Sequence, residues 1–299
     1  MTTFEGILPA VVTPLDRELR FDREAFERLL SALYATGIHG VYVCGQTGEG
    51  LLQTAEQRKQ VAETAVRCSP AGKTVIVHVG AHELDDAIEL AKHAERIGVH
   101  AISSLPPLGD RSNEQIHSYY RTLAAASGLP FLLYYFPDLC PAIRNPDELL
   151  DLLGLPNVIG LKFTDYNLYQ LWQLRQRGSI VFNGRDEVLA AGVIMGASGG
   201  IGSFYNLVPE LFLAVWEAGL EGRWEDARCA QSKINELIAI TLRFPVFPAI
   251  KRMLAWSGLD CGGCHPQYRP LTGAEEQDLR RMLSQSSLAK TEFAGLRAG

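Results

Sequence analysis

Long apolar runs, an excess of basic residues and the features of a secretory leader are all missing from this sequence. None of its apolar runs approaches the ~20 residues of a membrane-spanning helix. The formal net charge of −6 gives no indication of a nucleic acid or an anionic membrane as a partner. The opening Met-Thr-Thr-Phe-Glu-Gly has neither the basic nor the apolar region of a signal peptide. We therefore expect a cytoplasmic protein that binds a small molecule, with no membrane or nucleic acid as partner.

Cysteine is scarce, with 6 residues in the chain, and most of them are scattered as expected for reduced thiols. The exception is Cys261-Gly-Gly-Cys264-His265, which has the spacing of a c-type haem attachment site. Haem attachment requires export, which nothing in the sequence signals. Zinc binding and a small-residue turn before the last helix are the other interpretations, and the turn is favoured. We predict no metal and no organic cofactor.

Apolar runs alternate with amphipathic helical patterns through the first 222 residues, which is typical of β/α units. Eight such units predict a (β/α)₈ TIM barrel, the usual size for this α/β fold. A doubly wound open sheet is the alternative, but no glycine-rich dinucleotide fingerprint follows the first strand. The strand pattern stops after Gly222. We therefore predict a barrel at 1–222 that carries the active site, and a C-terminal helical region at 223–299. The predicted strands are Gly6–Val12, Gly40–Cys44, Thr74–His78, His100–Ser104, Pro130–Tyr134, one ending at Lys162, Ser179–Asn183 and Ala197–Ile201.

A lysine ends the otherwise apolar run Val158-Ile-Gly-Leu-Lys162. At the C-terminal end of a barrel strand, core gives way to the active-site pocket. Desolvation there disfavours the ammonium form, and a free amine in a dry pocket is what Schiff-base chemistry with a keto acid requires. A side chain that reaches out to solvent is the alternative interpretation. The other lysines lie in polar turns or on amphipathic helical patterns, so Lys162 is the candidate nucleophile.

The ends of the neighbouring strands carry further candidates. Gln46 and Thr47 lie in the glycine-rich loop after the second strand, whose backbone N–H groups can hold a small anion. Tyr134 ends the fifth strand and can transfer protons through its phenol. Thr164 follows the lysine strand. A plain turn and a core tyrosine are the alternatives when each feature is taken alone.

The last two strands lead to polar and glycine-rich loops. Gly184, Asp186 and Glu187 follow the seventh strand, although helix capping accounts equally well for Asp186. Gly202 and Ser203 follow the eighth strand, in a loop that is not a phosphate-binding P-loop because no Gly-Lys-Ser/Thr is present. Because all these strand ends meet at one rim, we predict a site there for a small polyhydroxylated or carboxylated molecule.

From about residue 4 to 282, these motifs resemble the pyruvate-dependent class I lyases related to N-acetylneuraminate lyase and dihydrodipicolinate synthase. Gly45-Gln-Thr-Gly-Glu49 is similar to the carboxylate-binding loop of that family. Tyr134-x-x-Pro137 and Lys162 are similar to its catalytic tyrosine and Schiff-base lysine. The resemblance implies a TIM barrel, a homotetramer and an active site at the barrel mouth.

The resemblance is closer to the N-acetylneuraminate lyase branch. Synthases of dihydrodipicolinate have an arginine where this chain has Leu139, and Asn183-Gly-Arg-Asp-Glu187 resembles the lyase pattern for binding sugar hydroxyls. Two departures stand out: Gln46 replaces a proton-relaying Ser or Thr, and Pro106–Gly109 stands where many members have a tyrosine that reaches the neighbouring subunit. An amide cannot relay a proton as a hydroxyl does.

The resulting hypothesis is a reversible retro-aldol cleavage of a 2-keto-3-deoxy sugar acid to pyruvate and an aldehyde. Lys162 forms the Schiff base and Tyr134 moves the proton. The predicted substrate-binding residues are Gln46, Thr47, Thr164, Gly184, Asp186, Glu187, Gly202 and Ser203. The alternatives are a dihydrodipicolinate synthase, a keto-deoxy sugar acid dehydratase and a non-enzymatic keto-acid-binding protein. Arg185, beside the acidic pair, is expected to favour a second carboxylate on the substrate.

Overall fold

A computed structural model describes residues 4–109, 111–141, 143 and 146–290 of the chain. It contains eight parallel strands that alternate with helices. The strands are β1 (Gly6–Pro9), β2 (Gly40–Val43), β3 (Thr74–His78), β4 (Ala101–Ser104), β5 (Phe131–Tyr135), β6 (Val158–Phe163), β7 (Ile180–Asn183) and β8 (Gly199–Gly202). The predicted third strand is confirmed to the residue. The predicted first strand ends earlier, at Pro9, and the lysine strand continues one residue beyond Lys162.

The strands pair in the order β1-β8-β7-β6-β5-β4-β3-β2, with each neighbour parallel. An isolated parallel bridge between Ala10 and Tyr42 joins the two outer strands. The sheet is thus a nearly closed ring, and the predicted TIM barrel is confirmed. Because all neighbouring strands are parallel, their carboxyl ends all lie at one rim.

Two apolar layers hold the barrel together. One lies inside the ring and includes Leu8, Ile76, Leu132, Phe182 and Ile201. The other lies between the strands and the surrounding helices. The alternation of side chains along each strand divides residues between these layers, which explains why the strands are apolar on both faces.

Helices follow the strands in turn, and several begin where the sequence predicts. The helices are α1 (Arg23–Ala35), α2 (Ala55–Cys68), α3 (Leu84–Arg96), α4 (Asn113–Ala124), α5 (Pro146–Leu153), α6 (Leu168–Gln176), α7 (Leu189–Ile194), α8 (Pro209–Leu220), α9 (Trp224–Thr241), α10 (Val246–Trp256) and α11 (Gly273–Gln285). Capping boxes begin α2 at Thr54, α4 at Ser112 and α11 at Thr272, where side chain and backbone satisfy each other's end groups. Within the described ranges no helix is long and apolar enough to cross a membrane.

Helices α9, α10 and α11 form the C-terminal appendage. We predict its boundary with the barrel at Gly222, and the last part of the predicted 223–299 region, residues 291–299, lies outside the described residues. The Cys261–His265 stretch lies outside the helices and strands, and it leads into a hydrogen-bonded turn in which the Tyr268 N–H donates to the His265 oxygen at 2.8 Å. The stretch lies against the barrel, where Gly262 forms a parallel bridge with Leu15.

Candidate active site

A cavity of about 450 Å³ opens at the carboxyl rim of the barrel. All ten residues proposed from the sequence line it, namely Gln46, Thr47, Tyr134, Lys162, Thr164, Gly184, Asp186, Glu187, Gly202 and Ser203. The volume lies in the range of small-molecule sites. The structure thus brings the candidates together, while the role of each stays a prediction.

Lys162 lies on the barrel side of this cavity and is only 4% exposed. Its Nζ lies 4.1 Å from the centre of the Tyr134 ring and 4.7 Å from that of Tyr42. The register of β5 and β6 accounts for the first contact, because Tyr134 and Lys162 are directly paired across the two strands. Within the described part of the chain, Lys162 forms no ion pair. A buried amine without a counter-ion is well suited to attack a carbonyl carbon.

The groups beneath the amine are neutral. Burial raises the pKa of Tyr42 well above its usual range, and its hydroxyl donates to Ser103 Oγ at 3.1 Å. Burial lowers the pKa of His78 well below its ordinary value, and the nearby Arg58 and Lys162 side chains act in the same direction. The His78 Nε2 accepts a hydrogen bond from the Leu105 N–H at 3.0 Å, which is compatible with a neutral ring. Sequence reasoning missed both residues, because each reads as an ordinary strand residue.

Contacts with three other aromatic rings hold the ring of Tyr134 in place. Tyr42 and His78 meet it edge to face, with ring centres 6.2 and 6.1 Å away, and Phe136 stacks on it at 6.1 Å. Such packing restricts the phenol to one orientation. Tyr135, the next residue, packs instead against Phe163 outside the barrel, as the alternation along a strand requires.

The loop after β2, Gly45–Glu49, forms one wall of the cavity and is here called the β2 loop. Thr47 is 4% exposed, and its Oγ1 lies 2.6 Å from Ser203 Oγ, so the loops after β2 and β8 are joined by a hydroxyl pair. Gln46 is half-buried beside it and also lines the cavity. Two hydroxyls and an amide are thus presented near the amine, next to a loop of backbone N–H groups.

Asp186 also lines the cavity and is buried against the loop after β8. Its Oδ2 accepts the Phe204 N–H at 2.9 Å, and a side chain at Gly202 would meet Oδ1 at 1.7 Å, so only glycine fits there. Asp186 Oδ1 and Thr164 Oγ1 are two of the buried side-chain atoms that have no hydrogen-bond partner among the described residues. A buried polar atom without a partner is costly, and the hydroxyl group of a bound ligand is one group that would satisfy it.

Burial raises the pKa of Asp186 from 3.8 to about 7, and the nearby Glu187 acts in the same direction. The folded protein then holds this proton to higher pH than the unfolded chain does. The protonated Asp186 carboxyl therefore makes its full contribution to folding stability below its ordinary pKa of 3.8. This contribution is lost as the pH rises to about 7. Relative to Asp186→Asn, the free energy of unfolding of the wild type should fall by several kcal/mol across that window, at about 1.4 kcal/mol per pKa unit.

Denaturant titrations of the two proteins at a series of pH values measure this difference. Asparagine keeps the size and the acceptor for the Phe204 N–H, so it serves as the matched neutral variant. A difference in unfolding free energy that stays constant with pH would contradict the prediction.

Arg185 stands at the mouth of the cavity among groups that already neutralise it. Its guanidinium lies over the rings of Tyr166 at 4.4 Å and Phe136 at 5.1 Å, and it forms an ion pair with Asp138. Tyr166 in turn donates to Glu187 Oε1 at 3.0 Å. Paired with one carboxylate and close to another, Arg185 offers little positive potential to a second substrate carboxylate. This pairing weighs against the second substrate carboxylate expected from the sequence, which stays a prediction.

The C-terminal appendage completes the site. Gln231 and Asn235 on α9 donate to the backbone oxygens of Asp186 and Glu187, at 2.9 and 3.0 Å, and so fix the turn that carries the acidic pair. Appendage residues also line the cavity: Ile238, Leu242, Pro245, Val246, Phe247 and Tyr268. Sequence reasoning missed this wall because its residues form no motif.

Cys261 is buried and Cys264 is half-buried. Burial raises the pKa of each to about 12, so both stay protonated. All six cysteines are free, and the described residues contain no group of three or more potential metal ligands.

Comparisons with known proteins agree with this geometry. The dihydrodipicolinate synthetase family matches residues 3–286. The N-acetylneuraminate lyase of Rhizobium meliloti (strain 1021) is 38% identical over 278 residues, covering 92% of each chain. That of Citrobacter koseri is 34% identical and covers 83% of this chain and 85% of the relative.

Solved structures give the same result. The Ruminococcus gnavus sialic acid aldolase superposes with a TM-score of 0.89 at 30% identity, covering 94% of this chain and 96% of its own. A second structure of that protein is of its catalytic lysine mutant. The Clostridium difficile protein CdNal, solved in complex with mannosamine, has a TM-score of 0.90 at 25% identity and covers 94% and 99% of the two chains. The chain belongs to the dihydrodipicolinate synthetase family.

Proposed function

We propose that the protein is a class I lyase that cleaves N-acetylneuraminate, or a closely similar 2-keto-3-deoxy sugar acid, to pyruvate and an aldehyde. The observation that carries the proposal is the buried Lys162 amine, which forms no ion pair with the residues that the structure describes and lies beside Tyr134 in a cavity lined by hydroxyl and carboxyl groups. The lyase names of the relatives and the catalytic lysine of the Ruminococcus gnavus aldolase support it.

In this reaction the Lys162 Nζ attacks the C2 carbonyl of the substrate, and water leaves to give a protonated imine. A base removes the proton from the C4 hydroxyl, the C3–C4 bond breaks, and its electrons pass to the imine. The aldehyde leaves, the resulting enamine takes a proton at C3, and hydrolysis releases pyruvate and the lysine. Tyr134 is the proposed proton carrier, acting directly or through the substrate carboxylate, because Gln46 has no hydroxyl for a relay.

The remaining candidates divide between the two ends of the substrate. The Thr47 backbone N–H, with Gln46 beside it, holds the carboxylate next to the imine. Asp186, Glu187 and Ser203 bind the hydroxyl groups of the tail. Thr164, Gly184 and Gly202 complete the wall around that tail. The unpartnered Thr164 and Asp186 oxygens and the neutralised Arg185 support an uncharged polyol there.

Two measurements test this proposal. Borohydride added with pyruvate should leave a reduced pyruvyl group on the protein, whereas a protein that only binds keto acids without an imine would show none. When a panel of keto-deoxy acids is then assayed, the enzyme should release pyruvate fastest from N-acetylneuraminate. Faster dehydration of another panel member, or consumption of pyruvate with aspartate semialdehyde, would instead assign the dehydratase or the synthase.

We further propose that the protein is a cytoplasmic homotetramer, with a second copy covering α6. Tyr169 and Trp172 on this helix are 64% and 40% exposed and stack at 5.8 Å, an apolar surface of the kind that interfaces cover. Trp172→Glu should reduce the mass in solution, measured by light scattering, to that of a smaller assembly. Trp224→Glu, a change of another exposed tryptophan, is the control and should leave the mass unchanged. A tetramer that persists in Trp172→Glu would place the interface elsewhere.

A further inference from the structure

The β2 loop is tied to the C-terminal appendage by a buried ion pair. Lys251 on α10 places its Nζ 2.7 Å from Glu49 Oε1, and the two side chains are 2% and 0% exposed. Both charges are therefore removed from water. Charges of this kind persist only where their geometry and remaining hydrogen bonds are well satisfied.

The segment around Cys264 supplies one hydrogen bond to each member of the pair. The His265 N–H donates to Glu49 Oε2 at 2.6 Å, and Lys251 Nζ donates to the Gly263 oxygen at 2.7 Å. The Cys261–His265 segment, which resembles a haem motif in the sequence, thus binds both members of the Glu49–Lys251 pair through its backbone.

The backbone of the β2 loop needs such support. Cys44 and Glu49, on either side of its glycines, have φ angles of 60° and 56°, in the left-handed region that residues other than glycine rarely adopt. Within the loop, the Glu49 N–H donates to the Gln46 oxygen at 3.0 Å. A shift of the Glu49 side chain would therefore move the backbone at Gln46 and Thr47 directly.

We propose that Glu49 and Lys251 are positioning residues that hold the β2 loop so that its backbone N–H groups meet the carboxylate of the bound keto acid. This inference rests on the proposed function of the site. Neither residue lines the cavity, so the pair acts through the loop and not by contact with substrate. The appendage then contributes to recognition of pyruvate as well as to the wall around the sugar.

A neutral pair in place of the charged one tests this proposal. A single substitution leaves one buried charge unpaired and endangers folding, so the main variant is Glu49→Gln with Lys251→Met, in which no charge remains. The readout is the pyruvate concentration that gives half-maximal borohydride trapping. We expect this concentration to rise about tenfold, equivalent to about 1.4 kcal/mol, while the trapping reached at saturation is retained.

The matched control lies one residue further along the same helix. Arg252 pairs with Glu276 on α11 at 2.7 Å, away from the β2 loop. Arg252→Met with Glu276→Leu should leave the half-saturating pyruvate concentration unchanged.

A second variant decides the matter if the neutral pair fails to fold. Glu49→Asp keeps both charges but shortens the side chain by one methylene, so the ion pair with Lys251 can form only if the loop moves. Pyruvate should again bind several-fold more weakly. Folded variants with the half-saturating concentration of the wild type would overturn the inference. Absence of trapping in the wild type would instead contradict the proposed function itself.

Discussion

Replacement of Lys162 by methionine is expected to abolish both the borohydride-trapped pyruvyl adduct and pyruvate release. Methionine fills nearly the same volume but has no amine, so no imine can form. Loss of a covalent nucleophile costs on the order of 10⁴-fold or more in kcat. The fold should persist, because Lys162 forms no ion pair among the described residues and its neighbours Tyr42 and Tyr134 can pack against a thioether as well. Mass spectrometry of the reduced protein and a coupled pyruvate assay measure the two effects.

Lys92→Met is the control for this experiment, because Lys92 is an exposed lysine on α3. It should keep the adduct and the activity of the wild type. An adduct that survives in Lys162→Met, or that maps by peptide digestion to another lysine, would show that the nucleophile has been misidentified.

Local patterns in the sequence account for the barrel and for the reacting groups. The β-branched run Thr74–His78 and the capping box at Thr54 depend on neighbours within a few residues, so they predict the element in which they lie. The same holds for Lys162, whose position at the end of an apolar run predicts a strand tip. Because every tip of a barrel meets at one rim, these separate local signals converge on one cavity.

Contacts between distant parts of the chain were not predictable in this way. Lys251 has the neighbourhood of an ordinary amphipathic helix, yet it is buried because Glu49 and the Cys261–His265 segment pack over it. The hydrogen bond from His265 to Glu49 joins residues 216 positions apart. Gln231 shows the same limitation, since nothing near it in the sequence indicates that it holds the turn at Asp186. Burial of a polar residue depends on what packs across from it, which local periodicity does not record.

The second large effect is expected for Tyr134→Phe, which removes one hydroxyl and keeps the ring. The ring contacts with Tyr42, His78 and Phe136 remain, so the barrel interior and the setting of Lys162 should be preserved. Loss of a general acid or base costs about 10²–10⁴-fold in rate. The kcat for pyruvate release from the best substrate of the panel should therefore fall within that range, while pyruvate is still trapped by borohydride at a similar half-saturating concentration.

A fall in kcat without a change in borohydride trapping is the result that identifies proton transfer as the role of the Tyr134 phenol. Tyr135→Phe removes a hydroxyl from the adjacent residue, whose ring packs against Phe163 and does not line the cavity, so it should leave kcat nearly unchanged. If Tyr134→Phe retains full kcat, the proton must travel through another group, and the Thr47–Ser203 hydroxyl pair becomes the route to examine because both residues line the same cavity. If trapping is lost together with kcat, Tyr134 is needed to form the imine and not only to break the carbon–carbon bond.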